Sequence, residues 1–567
     1  MEGNQTDIIS SLPESLLLYT LSTLPFKEAA KTCILSKKWL QMWHSTNPVV
    51  NNKLEFTNDD KDHEAIEAQQ RKAFKNFIKN WIIFHKHHHL NEKFTLKISP
   101  PSNCSHIIGA CIDFVSEDGV KDLELDFAKP QWENEEEDPE QDNDSALVVF
   151  PRCIYEHEKL HQKLESLKLH SCNFSPESFA KFEALRDVTL AWMPLRTETV
   201  KTLLSSCKWI ESLTLKRCWD LEDLELGKLE LKKLVIDNCS LDVDDICFEA
   251  RNLKAFKYSG LVGVSDVIVE ASTIEEADFD FDTMFFECGN LLQKFLYDFS
   301  AVNVLTVCSV LLQTIHLGDE PVRLQGNMMV RHLKMKIQLH QQELHGFLWI
   351  LNSCPRLTKL TIDLDRRCSI VPGYEDPYYN VDHERFWDKL IVPFCLRKNL
   401  REVEVNGFMG TRNQVMACYF FIGAALKLKK LTIKVLNEEN DDHAMVHMRH
   451  LSASQLLLAR RASNDLIATR EYDGETLEDE NPITSTRIRF WDRVIVPFCL
   501  RKNLREVEVN GFMGTRNQVM ACYYFISGAL KLKKLTIKVL NEENDDPVTC
   551  LIFPNRNCFL LKELEII

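Results

Sequence analysis

A leucine-based phrase that recurs along most of the chain is the feature that most limits the folds open to it. The phrase reads Leu-x-x-Leu-x-Leu-x-x-Cys-x-apolar, and the copies that begin at Leu164 and Leu231 fit it at every position. Alternate residues of a strand point to the same side, so each phrase predicts a short strand with one buried face. Further copies begin at Leu185, Ile210, Leu253, Ile274, Leu357, Leu400 and Leu428.

The spacing of these phrases predicts a stack of repeats. From residue 164 to residue 274 the copies begin 21, 25, 21, 22 and 21 residues apart, which is typical of leucine-rich repeats. One such unit buries too little apolar surface to fold alone, so neighbouring units must stack. We expect the cysteine to cap the turn where the chain leaves each strand. After Ile274 the period becomes irregular, and the register there stays open.

The first fifty residues have a different pattern. Apolar residues recur at helical spacing, and Pro13 and Pro25 suit the first turns of short helices. A unit of this size cannot cover all of its apolar side chains, so the surplus predicts an interface with a partner, rimmed by Lys37 and Lys38. The alternative is that these side chains pack on the following segment, whose pattern is helical and charged.

Composition excludes several classes of function. The chain has 567 residues and a formal net charge of −16, so we expect neither nucleic acid nor a membrane as its main partner. Its 19 cysteines are scattered and often occupy apolar positions, which predicts reduced thiols in a cytoplasmic or nuclear protein. The polar start resembles no signal peptide, and no apolar run is long enough to span a bilayer.

One catalytic motif occurs. His157, Glu158 and His161 form a literal His-Glu-x-x-His, which on a helix would place two imidazoles on one face with a glutamate as general base. It stands alone, just before a repeat strand, so we interpret it as part of a solvated repeat helix. His85 and 87–89 are interpreted as a polar helix end, with metal capture as the alternative. We expect no catalytic residue, no metal and no cofactor.

A long segment of the chain is duplicated. Phe386–Asp442 and Phe490–Asp546 are each 57 residues long, lie 104 positions apart and differ at only five places. Ordinary repeats share only their core positions, but here the surface residues match too. Each copy holds two strand phrases with an apolar helix between them. The differing pairs are Lys389/Arg493, Leu390/Val494, Phe420/Tyr524, Gly423/Ser527 and Ala424/Gly528.

The N-terminal residues resemble a known family. Asp7–Leu17 followed by Leu24–Trp39, with its Leu-Pro opening, Leu-Pro-x-Lys-Glu-Ala middle and Leu-Ser-Lys-x-Trp ending, resembles the F-box of plant F-box/leucine-rich-repeat proteins. The segment Leu400–Thr411 resembles the FBD region of that family, and Gln455–Asp465 resembles its closing tail. The second copy lacks that tail.

The resemblance implies a fold class and an order of domains. The fold class is α/β, with a small all-α N-terminal F-box followed by a leucine-rich-repeat solenoid that has a curved parallel sheet. The predicted divisions are an F-box at 1–50, a helical connector at 51–93, leucine-rich repeats at 94–385, a first FBD-like copy at 386–470, and a linker with a partial second copy at 471–567.

The resemblance also implies a function. The protein would be the substrate-recognition subunit of a Skp–cullin–F-box (SCF) ubiquitin ligase, with the F-box on a Skp-type adaptor, cullin bound through that adaptor, and an unknown protein substrate on the repeats. Alternatives are a scaffold outside a ligase, a zinc metalloprotease using the histidine motif, and a gene product without function. The expected adaptor-binding residues are Leu12, Pro13, Leu16, Leu17, Leu24, Pro25, Ala30, Cys33, Leu35, Ser36 and Trp39.

The duplication leaves two packings open. If the tail of the first copy caps the sheet, the second copy is dispensable for folding, because repeats are held by nearest-neighbour contacts. Because the strand phrases of the two copies are the same, the second copy could instead take the place of the first and displace it.

Overall fold

The chain forms two compact units in the computed structural model. The first comprises Met1–Gly260 with Val267–Thr273, and the second comprises Leu261–Asp266 with Ile274–Ile567. The residues that the structure describes are 12–24, 29, 31–44, 49–53, 72, 75–76, 78–80, 82–83, 93–99, 104–129, 132, 147–150, 152–221, 224–228, 231–240, 246–249, 252–261, 268–270, 273–281, 289–315, 328–364, 392–409, 412–435, 504–512, 534–539 and 548–552.

Short helices precede and flank the strands of the first unit. The helix α1 (Glu14–Thr23), a 3-10 turn (Thr32–Ile34) and the helix α2 (Lys37–His44) form the N-terminal part. The repeats add α3 (Ser105–Asp118), α4 (Glu158–Lys163) and α5 (Thr197–Ser206). The described residues between 72 and 83 are helical.

The strands of the first unit are almost all short and parallel. They are β1 (Val49–Lys53), β2 (Lys93–Ser99), β3 (Asp122–Asp126), β4 (Val148–Val149), β5 (Ser166–His170), β6 (Cys172–Asn173), β7 (Asp187–Ala191), β8 (Ser212–Lys216), β9 (Leu224–Lys228), β10 (Lys233–Asp237), β11 (Ile246–Glu249), β12 (Ala255–Gly260) and β13 (Ile268–Glu270).

One strand per repeat builds the main sheet of the first unit. Its order is β1-β2-β3-β5-β7-β8-β10-β12, and every described pairing is parallel. The strands β9, β11 and β13 form a separate small parallel sheet. The strand β1 covers residues where the sequence predicted the start of a helical connector. Its pairing with β2 gives Val49–Lys53 backbone partners that a helix would not use.

Leucines on alternate strand positions form the core between this sheet and the returning segments. Leu167 and Leu169 of β5 are fully buried, and so are Leu213 and Leu215 of β8. The residues between them, such as Lys168, stay on the opposite, exposed face. Each of these leucine phrases therefore forms a strand with one buried apolar side, as the sequence predicts.

A left-handed residue ends several strands of the first unit just before the cysteine. Arg217 has a φ of 50°, and its N–H donates to the carbonyl of Asp237 on the next strand at 2.7 Å. This conformation turns the chain so that the buried Cys218 donates from Sγ to the carbonyl of Leu190 at 3.5 Å. The cysteine caps the turn, as predicted. The left-handed residue and its N–H bond to the next strand recur at Ser171 and Asn238, each followed by a buried cysteine.

The second unit repeats this design. Its helices are α6 (Gly289–Asp298), α7 (Ser309–Thr314), α8 (Leu344–Ser353), α9 (Phe394–Lys398) and α10 (Arg412–Ala424). Its strands are β14 (Glu276–Phe281), β15 (Val304–Cys308), β16 (His332–Ile337), β17 (Lys359–Leu364), β18 (Glu402–Phe408), β19 (Lys430–Val435), β20 (Glu506–Phe512), β21 (Lys534–Val539) and β22 (Val548–Ile552).

Both copies of the duplicated segment lie in the sheet of the second unit. The first copy supplies β18 and β19, and the second supplies β20 and β21. Strand β19 pairs in parallel with β20, with Lys430 opposite Glu506. The packing in which one copy displaces the other is therefore not the one observed. The last strand, β22, pairs antiparallel with β21 and covers that edge of the sheet.

The second copy fits here because β19 resembles β17. Both strands contain Lys-Leu-Thr-Ile, and both accept a Glu-Val-Glu-Val strand. Lys359 lies 3.8 Å from Glu404 across the first of these pairings, and Lys430 lies 3.6 Å from Glu508 across the second. The last strand of the first copy, β19, therefore presents to the second copy the same kind of edge that β17 presents to the first copy.

A chain that ends at residue 470 is expected to fold with an unchanged thermal midpoint and unchanged adaptor binding. It loses β20 to β22, but each inner strand keeps both of its neighbours. A chain that ends at residue 398 is the comparison. It also loses Phe421, whose ring centroid lies 6.1 Å from that of the buried Phe347, and we expect a lower midpoint. Aggregation or non-cooperative unfolding of the 470-residue chain would show that the second copy is required.

Candidate functional site

Helix α1 has apolar residues on two sides. Leu17 and Leu21, four residues apart, are buried within the first unit. Leu12, Leu16 and Tyr19 are exposed and follow one another at spacings of four and three residues. Side chains three and four positions apart lie on the same face of a helix, so Leu16 and Tyr19 form one outward stripe on α1. Leu12 is exposed just before this helix begins at Glu14. Burial of one side of α1 leaves the other side uncovered.

The segment after α1 adds further exposed apolar residues. Ile34 and Leu35 lie at the end of the 3-10 turn, and Leu40 lies on α2. The hydroxyl of Ser36 accepts a hydrogen bond from the N–H of Trp39 at 3.3 Å, which caps the first turn of α2. Trp39 is buried, so it anchors the helix while its neighbours remain outside.

These outward residues are called here the N-terminal apolar face. Its members and their exposed fractions are Leu12 at 37%, Leu16 at 50%, Tyr19 at 69%, Ile34 at 87%, Leu35 at 57% and Leu40 at 40%. The ammonium group of Lys38 donates to the carbonyl of Leu12 at 2.7 Å, which ties α2 to the start of α1. Exposed apolar side chains gathered on one small unit are typical of a protein interface.

The structure divides the residues predicted for adaptor binding into three groups. Leu12, Pro13, Leu16 and Leu35 are exposed; Leu24, Cys33 and Ser36 are half-buried; Leu17 and Trp39 are buried. Pro25 and Ala30 lie outside the described residues. In this structure Leu17 and Trp39 are core residues of the N-terminal unit and not part of its exposed surface.

Three members of the face were missed in the sequence. Tyr19 lies three residues after Leu16 on the same helical stripe, and that spacing could have revealed it. Ile34 and Leu40 gave no such signal, since their exposure depends on how the turn and α2 pack. Burial raises the pKa of the Cys33 thiol, so this cysteine stays protonated at neutral pH and acts as an apolar contact.

The His-Glu-x-x-His motif does not form a metal-binding arrangement. His157 precedes α4, with φ −86° and ψ 107°, so it is outside the helix. His161 is buried, with its ring centroid 4.6 Å from that of Phe182, whereas Glu158 is exposed. The helix was expected to be solvated, but Leu160 and His161 give it a buried side. The described residues contain no group of three or more potential metal ligands.

Purified protein reloaded with zinc is expected to hold no stoichiometric metal and to hydrolyse no peptide bond. His157 lies outside helix α4, and the His161 side chain is buried against the ring of Phe182, so the two imidazoles are not presented together to a metal ion. Elemental analysis of the intact chain, of His157→Ala and of the control His106→Ala is the measurement. One tightly bound zinc that is lost only in His157→Ala would contradict this prediction.

Two remaining sequence features lie outside the described residues. They are the acidic run Glu133–Asp144 and the histidines at 85 and 87–89. The tail-like segment Gln455–Asp465 is also outside them. Among the described residues, no helix combines the length and apolar character needed to cross a bilayer.

Family models match three parts of the chain. The F-box domain model matches residues 9–51, which contain the N-terminal apolar face. The model described as the At1g61320/AtMIF1 LRR domain matches residues 139–472, more than half of the chain. The FBD model matches residues 494–537.

The related proteins reported below carry an F-box in their names, and two of the three are F-box/LRR-repeat proteins. An F-box protein of Arabidopsis thaliana, At3g29830, is 30% identical over 451 residues, which cover 77% of this chain and 93% of that protein. The chain belongs to the plant F-box/LRR-repeat family. Its F-box/LRR-repeat relative At5g54820 from the same plant is 27% identical over 460 residues, covering 79% and 95% of the two chains. A third, At1g56400, is 29% identical over 429 residues, covering 74% and 86%.

The predicted family and fold class of this F-box/LRR-repeat protein are thereby confirmed. The FBD likeness is also confirmed, and the matched residues belong to the second copy, whereas the sequence resemblance was noted in the first. Among solved structures, the TLR13–ssRNA13 complex matches 61% of this chain and 49% of its own chain, with a TM-score of 0.27 and 11% identity, too low for any inference about function.

Proposed function

We propose that the protein is the substrate-recognition subunit of an SCF ubiquitin ligase. The F-box would bind a Skp-type adaptor and, through it, cullin, while the repeats bind a protein substrate. The observation that carries this proposal is the N-terminal apolar face on a segment that matches the F-box domain. Its six residues are exposed in the free chain, and a partner that covers them removes apolar surface from water.

The interior of the F-box supports this role. Leu17, Leu21 and Trp39 give the unit a small core of its own, so the outward residues are not needed to hold it together. An interface whose residues are independent of the core can bind and release a partner without unfolding. Lys37 at the start of α2 is exposed beside the face and suits an acidic rim on the adaptor.

The proposed mechanism requires no bond chemistry in this chain. A receptor that holds a substrate near a ubiquitin-charged enzyme raises the effective concentration of the substrate's lysines there. We therefore propose a non-catalytic subunit. We also propose a reducing compartment, cytoplasm or nucleus, because the described cysteines are free and most are buried.

Affinity capture with the proteasome inhibited tests the proposal. The intact chain and a chain without its F-box are each captured from the source tissue, and adaptor, cullin and ubiquitinated proteins are measured. We expect the intact chain to recover all three and the shortened chain to recover neither adaptor nor cullin. Adaptor without cullin would support a scaffold outside a ligase. Failure to detect the endogenous protein would favour a gene product without function.

A further inference from the structure

The lysines on the sheet face of the second unit are paired with carboxylates. Lys334 lies 3.3 Å from Glu276, Lys336 lies 3.1 Å from Asp278, and Lys434 lies 2.7 Å from Glu404. Each lysine reaches an acidic residue on another strand of the same face. The charges of this face are thus largely satisfied within the chain.

The first unit differs in this respect. Four lysines on β5, β8, β10 and β12 point away from the buried leucines, and none has a salt bridge with a described residue. Three are exposed and the fourth is half-buried. These residues are called here the lysine face: Lys168, Lys216, Lys233 and Lys257.

The acidic residues nearby leave the lysine face positive. Lys97, at 3.0 Å, is the main cause that lowers the pKa of Glu124 against the effect of burial, and Lys168, opposite Glu124 in the register, adds a smaller effect. Asp187 and Asp237 lie on the same face, and neither forms a salt bridge with a lysine of the set. On β5, β7, β8, β10 and β12 the outward positions carry four lysines and two aspartates, which leaves an excess of two positive charges on a chain whose net charge is −16.

The strand register sets the spacing of these charges. Lys168, Thr189, Thr214, Val235 and Lys257 occupy one row across five neighbouring strands. The two lysines at its ends are four strand spacings apart, or about 19 Å. Lys216 and Lys233 lie on opposite sides of this row, each one alternate strand position away from it. The centre of the face is therefore uncharged, and the four lysines and the carboxylates of Asp187 and Asp237 lie around it.

We propose that the lysine face binds an extended, acidic protein segment that carries aspartate or glutamate side chains. This rests on the proposed function, in which the repeats bind a protein substrate, and it names the chemistry of that substrate. Carboxylates several residues apart can each meet one ammonium group, while small side chains between them lie over Thr189 and Thr214. Lysines on the surface bind as separate point charges.

The spacing favours carboxylates over phosphates. A phosphate is held best where several donors converge on one point, often with the forked guanidinium of arginine. Adjacent strands place Lys233 and Lys257 about 8 Å apart, and the other pairs are farther apart. The lysines thus start from well-separated backbone positions, which favours one singly charged group for each of them.

Fluorescence anisotropy with defined peptides tests this proposal on the full chain. The probes are a labelled peptide in which Glu alternates with Ser, the same peptide with Gln in place of Glu, and a Gln peptide that carries phosphoserine. We expect the Glu peptide alone to bind, and to bind more weakly as salt rises, because exposed charges are screened. Replacing all four lysines of the face by Gln should weaken its binding about tenfold.

The matched control replaces four exposed lysines outside the strands by Gln. These are Lys181, Lys208, Lys398 and Lys427. This variant has the same change in net charge, and we expect wild-type binding of the Glu peptide. Equal binding of the Glu and Gln peptides, equal losses in the two variants, or binding of the phosphopeptide alone would each overturn the proposal. Adaptor capture by the wild-type chain and by both variants is measured in parallel. If the wild-type chain captures no adaptor, that result counts against the proposed ligase role and not against the lysine face.

Discussion

The double variant Leu12→Asp, Leu16→Asp is expected to lose capture of the Skp-type adaptor while its repeats stay folded. Both side chains are exposed in the free chain, so the charges remain in water there and leave the core of α1 and α2 intact. In a complex the two carboxylates would be buried against apolar partner surface without counterions. That costs several kcal/mol, which is enough to lower the affinity by more than about a hundredfold. Pull-down with purified adaptor is the measurement.

The matched control places the same charges on exposed apolar residues elsewhere in the first unit. Val149→Asp with Trp209→Asp serves, because both residues are exposed and lie outside the N-terminal apolar face. We expect normal capture by this control and unchanged thermal midpoints for both variants. Capture at the wild-type level by the Leu12, Leu16 variant would show that the face is not the adaptor interface.

Gly346→Ala is expected to destabilise the second unit severely. Gly346 lies on α8 where this helix meets α7, and a Cβ atom there would lie 2.0 Å from the carbonyl oxygen of Leu312. The obstacle is backbone, so a side-chain rotation cannot relieve it, and the two helices must move apart. We expect a loss of about 3 kcal/mol or more in the free energy of unfolding, measured by urea denaturation.

The control for this substitution is Gly423→Ala. Gly423 is also helical, on α10, but no atom lies within 4 Å of an added Cβ. Alanine there should be neutral or stabilise the protein by up to about 1 kcal/mol, because glycine weakens a helix. If both variants unfold at the same urea concentration as the wild type, the contact between α7 and α8 tolerates a methyl group at position 346, and the prediction is wrong.

Much of the fold follows from the local pattern of the sequence. The spacing of Leu167 and Leu169 identifies a strand with one buried side, and the cysteine that follows marks the turn. Such signals involve neighbours within a few residues and need no knowledge of distant contacts.

Glu343 illustrates what such local patterns do not predict. It is fully buried and accepts hydrogen bonds from Ser309 and from the N–H groups of Gln338 and His340, although an isolated glutamate in a sequence predicts a solvated position.

The N-terminal helices show the same limit at the candidate site. The sequence supplied a surplus of apolar residues, and with it the expectation of an interface. Leu16 and Leu17 were both predicted to bind the adaptor, because the pattern alone does not show which of two adjacent apolar residues faces outward. Packing of α1 on α2 buries Leu17 and leaves Leu16 outside. The members of the face therefore depend on contacts between elements that are separated in the chain.

By itself the sequence determined the repeat class, the helical N-terminal unit, the duplication and the family, since each rests on local periodicity or on matched residues. Tertiary structure decided which side of α1 is exposed, where the second copy lies and which lysines lack a carboxylate partner. The position of the second copy could not be predicted because strands of the same sequence have the same edges for pairing. The pairing of a lysine could not be predicted because it depends on which carboxylates lie near it in space. Lys168 and Lys334 occupy similar positions on their strands, but only Lys334 has an acidic partner on the same face within salt-bridge distance.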